Sequence, residues 1–140
     1  MAAIKMRYLY FSKQKKIKEM GQMVKDEYQL ENINCLDVIP PAYACDRERV
    51  VFIAASVKKE ADDVLRRFCA ELSKNRTGNV ALIIDGPSNC VNRLIEALED
   101  AGTNVYEDVF YTKCGLFAKI TPEEKESFLA WTHKVVENLK

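Results

Sequence analysis

The sequence is poor in metal ligands, with one histidine and no two cysteines at C-x-x-C spacing. Its five cysteines, an odd number, are Cys35, Cys45, Cys69, Cys90 and Cys114. A structural zinc site needs four clustered Cys or His ligands, so this composition excludes a credible zinc set. A disulfide framework is no better supported, and we expect reduced thiols in a reducing compartment.

The chain also lacks net charge and long apolar runs. Its 21 basic and 21 acidic side chains cancel, so no global field favours nucleic acid or an anionic membrane. Apolar runs such as VALII at residues 80–84 are far too short to cross a bilayer. The opening MAAIKMRY has no apolar core of a signal peptide. We therefore expect a cytoplasmic protein that binds neither nucleic acid nor membrane, although a local anion site stays possible.

Strand and helix patterns alternate along the whole chain. Strands are predicted at residues 4–11, 34–39, 49–56, 79–86 and 104–112, and helices at 15–29, 58–74 and 88–101, with a last helix opening at 121. The third and fourth strands are nearly unbroken Val/Ile/Ala runs, which is typical of strands buried on both faces of a parallel sheet. The last strand is more polar and is predicted at an edge. Together these features predict one α/β domain over residues 1–140, a three-layer doubly wound fold with a five-stranded parallel sheet.

Two connections in this pattern are unusual. Residues 40–48, between the second and third strands, are too few for a full crossover helix, so we expect an extended segment or a single turn. The first strand–helix junction, SKQKK at residues 12–16, has no glycine, although α/β proteins often bind phosphate at this position on a loop with Gly or Thr.

The junction instead carries a cluster of lysines, at Lys13, Lys15, Lys16 and Lys18. The helix dipole disfavours cations at a helix N-terminus. A bound phosphate, nucleotide or acidic partner would offset that cost. The alternative interpretation is a solvated basic patch with no ligand.

Other candidate residues allow two interpretations each. Cys90, near the start of helix 88–101, could be a reactive thiolate close to Cys45 and Cys114, or a small buried side chain. Asp85 could be a functional acid at a strand end, or the first residue of a turn that continues into a helix cap. His133 has no evident catalytic partner and is predicted at the surface or an interface, and Trp131 is predicted to pack in the core.

Five β-α units that open with a Tyr-x-Ser motif at Tyr10 to Ser12 resemble a flavodoxin, and the resemblance covers nearly the whole chain. The runs VVFIAAS, NVALIIDG and CVNRLIEALEDAGTNV resemble that family's third strand, fourth strand and following helix and strand. The resemblance implies strand order 2-1-3-4-5 and FMN at the carboxyl edge of the sheet. It implies phosphate binding by Ser12, Lys13, Gln14, Lys15, Lys16 and Ile17, and a flavin ring flanked by Ser56, Val57, Lys58, Asp85, Gly86, Ser88, Asn89 and Cys90.

The sequence departs from the family at the cofactor site. The family's phosphate loop reads roughly S-x-T-G-N-T, and only Ser12 matches it. The two loops that would flank the ring contain no aromatic residue; each lost stacking ring weakens binding by about 1–3 kcal/mol. Tyr43, Tyr111 or Phe117 could supply a substitute from neighbouring loops.

We therefore predict a flavodoxin-like protein with FMN-linked electron transfer to a redox partner protein, and with a degraded site that binds FMN weakly or not at all. A flavin-free module that binds a small anion or a protein through the lysine-rich first loop is the alternative. Thiol redox chemistry at Cys90 is the third possibility. In the first two of these interpretations the protein is an electron carrier or a binding module rather than an enzyme.

Overall fold

The structure, a computed structural model, describes residues 6–11, 14–30, 34–35, 48–57, 63–86, 91–114 and 119–140. Its strands are β1 (Met6–Phe11), β2 (Asn34–Cys35), β3 (Val50–Ser56), β4 (Asn79–Asp85), β5 (Asn104–Val105) and β6 (Phe110–Thr112). Its helices are α1 (Lys15–Tyr28), α2 (Asp63–Ala70), α3 (Asn92–Ala101) and α4 (Pro122–Glu137).

The strands form a parallel sheet in the order β2-β1-β3-β4-β5, with β6 also paired to β4. This confirms the predicted α/β class and strand order. The central strands β3 and β4 are buried along their length except at their last residues, Ser56 and Asp85. That burial on both faces is the physical reason for their unbroken apolar sequences.

Two apolar clusters lie on opposite faces of the sheet. Alternate residues of β3, such as Ile53, pack with Leu65 of α2 and Leu94 of α3. The intervening residues, such as Phe52, pack with Ile17 of α1 and Trp131 of α4. The period-2 alternation of a strand thus supplies both faces, and the result is the predicted three-layer arrangement.

The last predicted strand, residues 104–112, is divided into β5 and β6. Tyr106 to Val109 lie between the two strands, opposite only Ala81 and Leu82 of β4. The Trp131 indole N–H donates to the Asp108 carbonyl oxygen at 2.8 Å. The extra residues interrupt an edge strand, which also makes the edge less able to pair with another chain.

Other boundaries differ from the prediction by a few residues. The α2 helix ends at Ala70 rather than residue 74, because Glu71 and Leu72 donate to the carbonyls three residues earlier and tighten the chain into a turn. The α1 helix ends at Tyr28, followed by Gln29 in a left-handed conformation (φ 56°). The predicted turn or extended segment at 40–48 lies almost entirely outside the described residues.

Two further observations concern membrane-spanning helices and metal ligands in the described residues. Within the described ranges, no helix is both long enough and apolar enough to cross a membrane. The same part of the chain contains no group of three His, Cys, Asp or Glu residues that could hold a metal ion.

Candidate functional site at the carboxyl edge of the sheet

The carboxyl ends of three neighbouring strands bring polar side chains into register. Ser56 of β3 is paired with Asp85 of β4, and Asp85 is paired with Thr112 of β6. Parallel strands end at the same edge of a sheet, which is where open α/β folds bind ligands. The apolar interior of β3 and β4 therefore gives way to a polar edge within one residue.

Asp85 is the centre of a hydrogen-bonded cluster at this edge. Its Oδ2 accepts from the Ser56 hydroxyl at 2.8 Å, and its Oδ1 accepts from the Cys114 backbone N–H at 3.0 Å. Its own carbonyl accepts from the Val57 N–H at 2.8 Å. Asp85 thereby joins the end of β3 and the segments that follow β3 and β6 to the end of β4.

Gly86 allows two of these segments to approach closely. Its φ is +153°, and a Cβ built there would lie 1.9 Å from the Val57 carbonyl oxygen. A side chain at residue 86 would therefore force the backbone apart. Glycine is required here for close approach and for its positive φ.

A second polar group surrounds the first turn of α1. The Lys16 side chain is only 8% exposed, and its Nζ lies 2.7 Å from Oε1 of Glu124 on α4. It also donates to the Lys113 carbonyl at 3.0 Å. The other carboxylate oxygen, Oε2 of Glu124, accepts from the Thr112 hydroxyl at 2.9 Å. We call these interactions the Lys16–Glu124 pair.

The segment Thr112–Lys113–Cys114 links the two groups. Thr112 binds Glu124, the Lys113 carbonyl binds Lys16, and the Cys114 N–H binds Asp85. The carboxyl edge from Ser56 to Glu124 is therefore one continuous polar network. We refer to it as the edge network.

The remaining described residues of the first junction differ in exposure. Gln14 is the N-cap of α1, with extended backbone angles and no side-chain capping bond. Lys15 is exposed, with its ammonium 3.8 Å from Glu19. Ile17 is fully buried, and its carbonyl accepts from the Tyr8 hydroxyl at 2.9 Å. The first turn contains no acidic residue, so the helix dipole there is opposed by lysines rather than complemented.

The edge network controls the chemistry of Cys114. Burial, and then the neighbouring Asp85 carboxylate that accepts a hydrogen bond from the thiol, raise the pKa of Cys114 to about 12. The thiol therefore stays protonated near neutral pH and is a poor nucleophile. Cys69, which is fully buried on α2, has its pKa raised to about 12 by burial alone.

The structure brings together Ser56, Val57, Asp85 and Gly86, and it connects them to Lys16 through residues 112–114. The predicted site residues outside the described ranges are Ser12, Lys13, Lys58, Ser88, Asn89 and Cys90, together with Tyr43, Phe117 and Cys45. Tyr111 of β6 is described and is 42% exposed. It lies at the sheet edge, in register with Ile84.

Sequence reasoning missed Thr112, Lys113 and Glu124 as members of the site. Glu124 carries one signal in the sequence, because Thr121-Pro122-Glu123-Glu124 has the pattern of a capping box with proline at the first helical position. That pattern indicates a helix start and does not indicate a contact with another helix. The Glu124 N–H does bond to the Thr121 hydroxyl at 3.1 Å, which confirms half of that capping box. Its side chain, however, reaches Lys16 on another helix.

His133 and Trp131 lie away from the carboxyl-edge network. The His133 Nε2 lies 3.3 Å from the Glu27 carboxylate, and its ring is 5.6 Å from that of Tyr28, so it belongs to the contact between α4 and α1. Trp131 packs among Phe52, Phe110 and Phe128. Both match their predicted structural roles.

Comparison of folds adds an independent observation. The Bacillus cereus flavodoxin 1 has a TM-score of 0.70 to this structure, with 18% sequence identity and coverage of 97% of this chain and 99% of that one. The chain has the flavodoxin fold. A short-chain flavodoxin associated with a bacterial microcompartment gives a TM-score of 0.66 at 11% identity, covering 97% of this chain and 99% of its own. A Lys-to-Gly mutant of the Fusobacterium nucleatum flavodoxin, bound to flavin mononucleotide, gives 0.68 at 8% identity and covers 97% of each chain.

Comparison of sequences gives no match, either among protein-family models or among curated proteins. The likeness therefore belongs to the fold and to the arrangement of strand ends. A shared fold does not determine a ligand, which depends on the residues of the site.

Proposed function

We propose that this protein is a flavodoxin-type electron carrier that holds FMN at the carboxyl edge of its sheet with low affinity. The observation that carries the proposal is the flavodoxin fold over 97% of the chain, together with a polar network at the edge where this fold class binds ligands. The Fusobacterium neighbour is bound to flavin mononucleotide, which supports FMN as the cofactor to test.

The first turn of α1 offers donors for a phosphate, although fewer than the family loop would. The first N–H groups of an α-helix have no intrahelical partner and point at an incoming anion. The side chain of the N-cap residue Gln14 makes no capping bond to them. Against this, Gln14 and Lys15 stand where the loop of the family has Thr and Gly. These residues fit a weakly held phosphate.

The strand ends would flank the ring system. In this proposal Ser56 and Val57 line one side and Asp85 and Gly86 the other, with Lys58, Ser88, Asn89 and Cys90 completing the two segments. FMN, when bound, supplies one- and two-electron redox chemistry. The chain's own contribution is to orient the ring, exclude water and place the Asp85 carboxylate near it.

A flavin-free binding module is the second candidate function. The 42% exposed ring of Tyr111 favours it, since aromatic residues are enriched at protein-binding surfaces. The exposed ammonium of Lys15 offers a positive charge to an acidic partner. In either function we propose a redox partner or other protein as the binding partner. The free thiols of Cys69 and Cys114 support a reducing setting such as the cytoplasm.

Titration with FMN separates these functions. FMN binding should be saturable. If the site lacks two aromatic rings that would stack on the flavin, the affinity for FMN should be lower than in a site with both rings by about 30-fold to about 10⁴-fold. Quenching of flavin fluorescence gives the affinity, and a shift in the visible spectrum distinguishes binding from collision. A protein that shows no saturation up to about 1 mM FMN, a limit of roughly 4 kcal/mol, would support the module instead.

A further inference from the structure

The Lys16–Glu124 pair includes a residue from the first turn of α1, where the proposed function places the phosphate. Lys16 lies in the first turn of α1, where the helix dipole disfavours a cation. Its ammonium is nevertheless almost completely buried, with Glu124 Oε1 at 2.7 Å and the Lys113 carbonyl at 3.0 Å. The charge that the junction lysines would offer to a ligand is, at Lys16, already neutralised.

Two contacts and a helix dipole stabilise the Glu124 carboxylate. Thr112 donates to Glu124 Oε2 at 2.9 Å, Lys16 binds Oε1, and the carboxylate belongs to the first turn of α4, where the helix dipole favours a negative charge. The Glu124 N–H is fixed separately by the Thr121 hydroxyl. Glu124 therefore holds a negative charge against the Lys16 ammonium from a different element of the fold.

We propose that Glu124 is a built-in competitor of the ligand's phosphate for Lys16. A phosphate that approaches the first turn of α1 meets a carboxylate instead of an unpaired ammonium, and must break the Lys16–Glu124 pair before Lys16 can contact it. The site therefore disfavours phosphate-bearing ligands, and it binds FMN little better than riboflavin, which has no phosphate. The flavin part of this inference rests on the proposed function; the competition for an inorganic anion does not.

The same exchange would couple ligand binding to α4. When Lys16 transfers to a phosphate, Glu124 loses its ion pair and Thr112 loses a fixed acceptor. Because Thr112 ends β6 and leads directly to Cys114, the change reaches Asp85 through three residues. Phosphate binding at Lys16 and the contacts of the Glu124 carboxylate are thus opposed.

The test uses Glu124→Gln, which keeps the side chain's size and removes its charge. Glu123→Gln is the matched control, since Glu123 precedes it in the same helical turn and is exposed. Thr112→Val is a milder variant that removes one bond holding the carboxylate. Each full-length protein is tested in two assays: thermal unfolding with inorganic phosphate against chloride at equal ionic strength, and titration with FMN and riboflavin.

Glu124→Gln should gain phosphate-specific stabilisation that wild type lacks, and its ratio of FMN to riboflavin affinity should rise by about tenfold. Thr112→Val should give a smaller gain in the same direction, and Glu123→Gln should match wild type. Adding Lys16→Met to Glu124→Gln should abolish the gain, because Lys16 is the group that is released.

Three results would overturn the inference: equal gains in Glu124→Gln and Glu123→Gln, no phosphate response in either Glu124→Gln or Thr112→Val, or a gain that persists without Lys16. Should Glu124→Gln fail to fold, Thr112→Val decides by itself. If phosphate responds as expected while no variant binds either flavin, the proposed function fails and the competition stands. If flavins bind but neither the ratio nor the phosphate response changes, the competition fails alone.

Discussion

The Ser56 hydroxyl lies 2.8 Å from Oδ2 of Asp85, across the paired ends of β3 and β4. The other oxygen of the same carboxylate accepts the Cys114 N–H at 3.0 Å. Because each contact crosses from one strand end to another, Asp85 fixes the relative positions of the segments that would surround a ligand. Its charge also raises the pKa of the neighbouring Cys114 thiol, which can therefore report the presence of the carboxylate.

Asp85→Asn should make Cys114 more reactive. The carboxylate raises the pKa of Cys114 and so keeps the thiol protonated; burial, the larger cause, remains in the variant. The pKa of Cys114 should therefore fall but stay above its ordinary value, and the rate of alkylation at pH 8 should rise by about threefold or more. Iodoacetamide labelling followed by mass spectrometry of the peptide that contains Cys114 gives the rate.

Asp108→Asn is the control for that measurement, because it removes one exposed carboxylate that precedes Cys114 in the sequence. It should leave the alkylation rate of Cys114 unchanged. Equal acceleration in both variants would mean that net charge rather than the contact with Asp85 holds the proton on the thiol.

Gly86→Ala should destabilise the protein strongly. An added Cβ would lie 1.9 Å from the Val57 carbonyl oxygen at a φ of +153°, so the two loops must separate. We expect a loss of about 2 kcal/mol or more in the free energy of unfolding. Gly78→Ala is the matched control, since the nearest atom to its Cβ would be the Arg49 carbonyl oxygen at 3.6 Å, and it should cost about 1 kcal/mol or less.

Urea unfolding followed by circular dichroism measures both glycine variants. Similar losses at the two positions would show that the close approach of Gly86 to Val57 is not what the glycine is needed for. A large loss at Gly86 alone would support a rigid, closely packed junction between the segments after β3 and β4.

Much of the fold could be predicted because its signals are local. The unbroken apolar runs of β3 and β4 and the helical spacing in α1 identify these elements without knowledge of their neighbours. The division of the last strand could not be predicted this way, since it involves the contact of Trp131 with Asp108, 23 residues away in sequence. A local sequence pattern cannot indicate a contact between residues so far apart in the chain.

The site was less predictable than the fold for the same reason. The sequence indicates Asp85 and Ser56 as site residues because strand ends at the carboxyl edge are a general location for ligands. It indicates Lys16 as part of a charge cluster, but the partner of Lys16, Glu124, is 108 residues away on another helix. The sequence shows a basic junction, whereas folding buries one of its lysines and neutralises it.

Alkaline pH should destabilise the protein partly through Cys69. Burial raises the pKa of Cys69 from 9.0 to about 12, so between these values the unfolded chain loses the thiol proton more readily than the folded one. Stability is therefore highest below pH 9 on this account and falls as pH rises towards 12. Between pH 9 and 11 this group should cost about 2–3 kcal/mol.

Comparison with Cys69→Ala isolates that contribution. Below pH 9 the variant is less stable than wild type because it leaves a cavity, but its free energy of unfolding should fall less steeply above pH 9. Burial also raises the pKa of Tyr8, so Tyr8→Phe should reduce the slope at still higher pH. Parallel curves for wild type and Cys69→Ala would rule out titration of Cys69 as a cause.

Gln14→Thr combined with Lys15→Gly should tighten FMN binding, if the proposed site is correct. Thr supplies a hydroxyl and a better N-cap than Gln, and Gly lets the backbone approach a phosphate closely. The lost contact of Lys15 with Glu19 is an exposed pair at 3.8 Å and contributes little. We expect affinity for FMN to rise by about tenfold and that for riboflavin to stay unchanged, because riboflavin has no phosphate.

Lys18→Gly is the control for that double variant, since it makes the same kind of change at an exposed position of α1 and should not improve FMN binding. Equal gains for FMN and riboflavin would place the effect at the ring rather than at the phosphate. Because the double variant leaves the Lys16–Glu124 pair intact, adding Glu124→Gln should tighten FMN further. Two gains that add would mean that the missing phosphate donors and the competing carboxylate weaken the site independently.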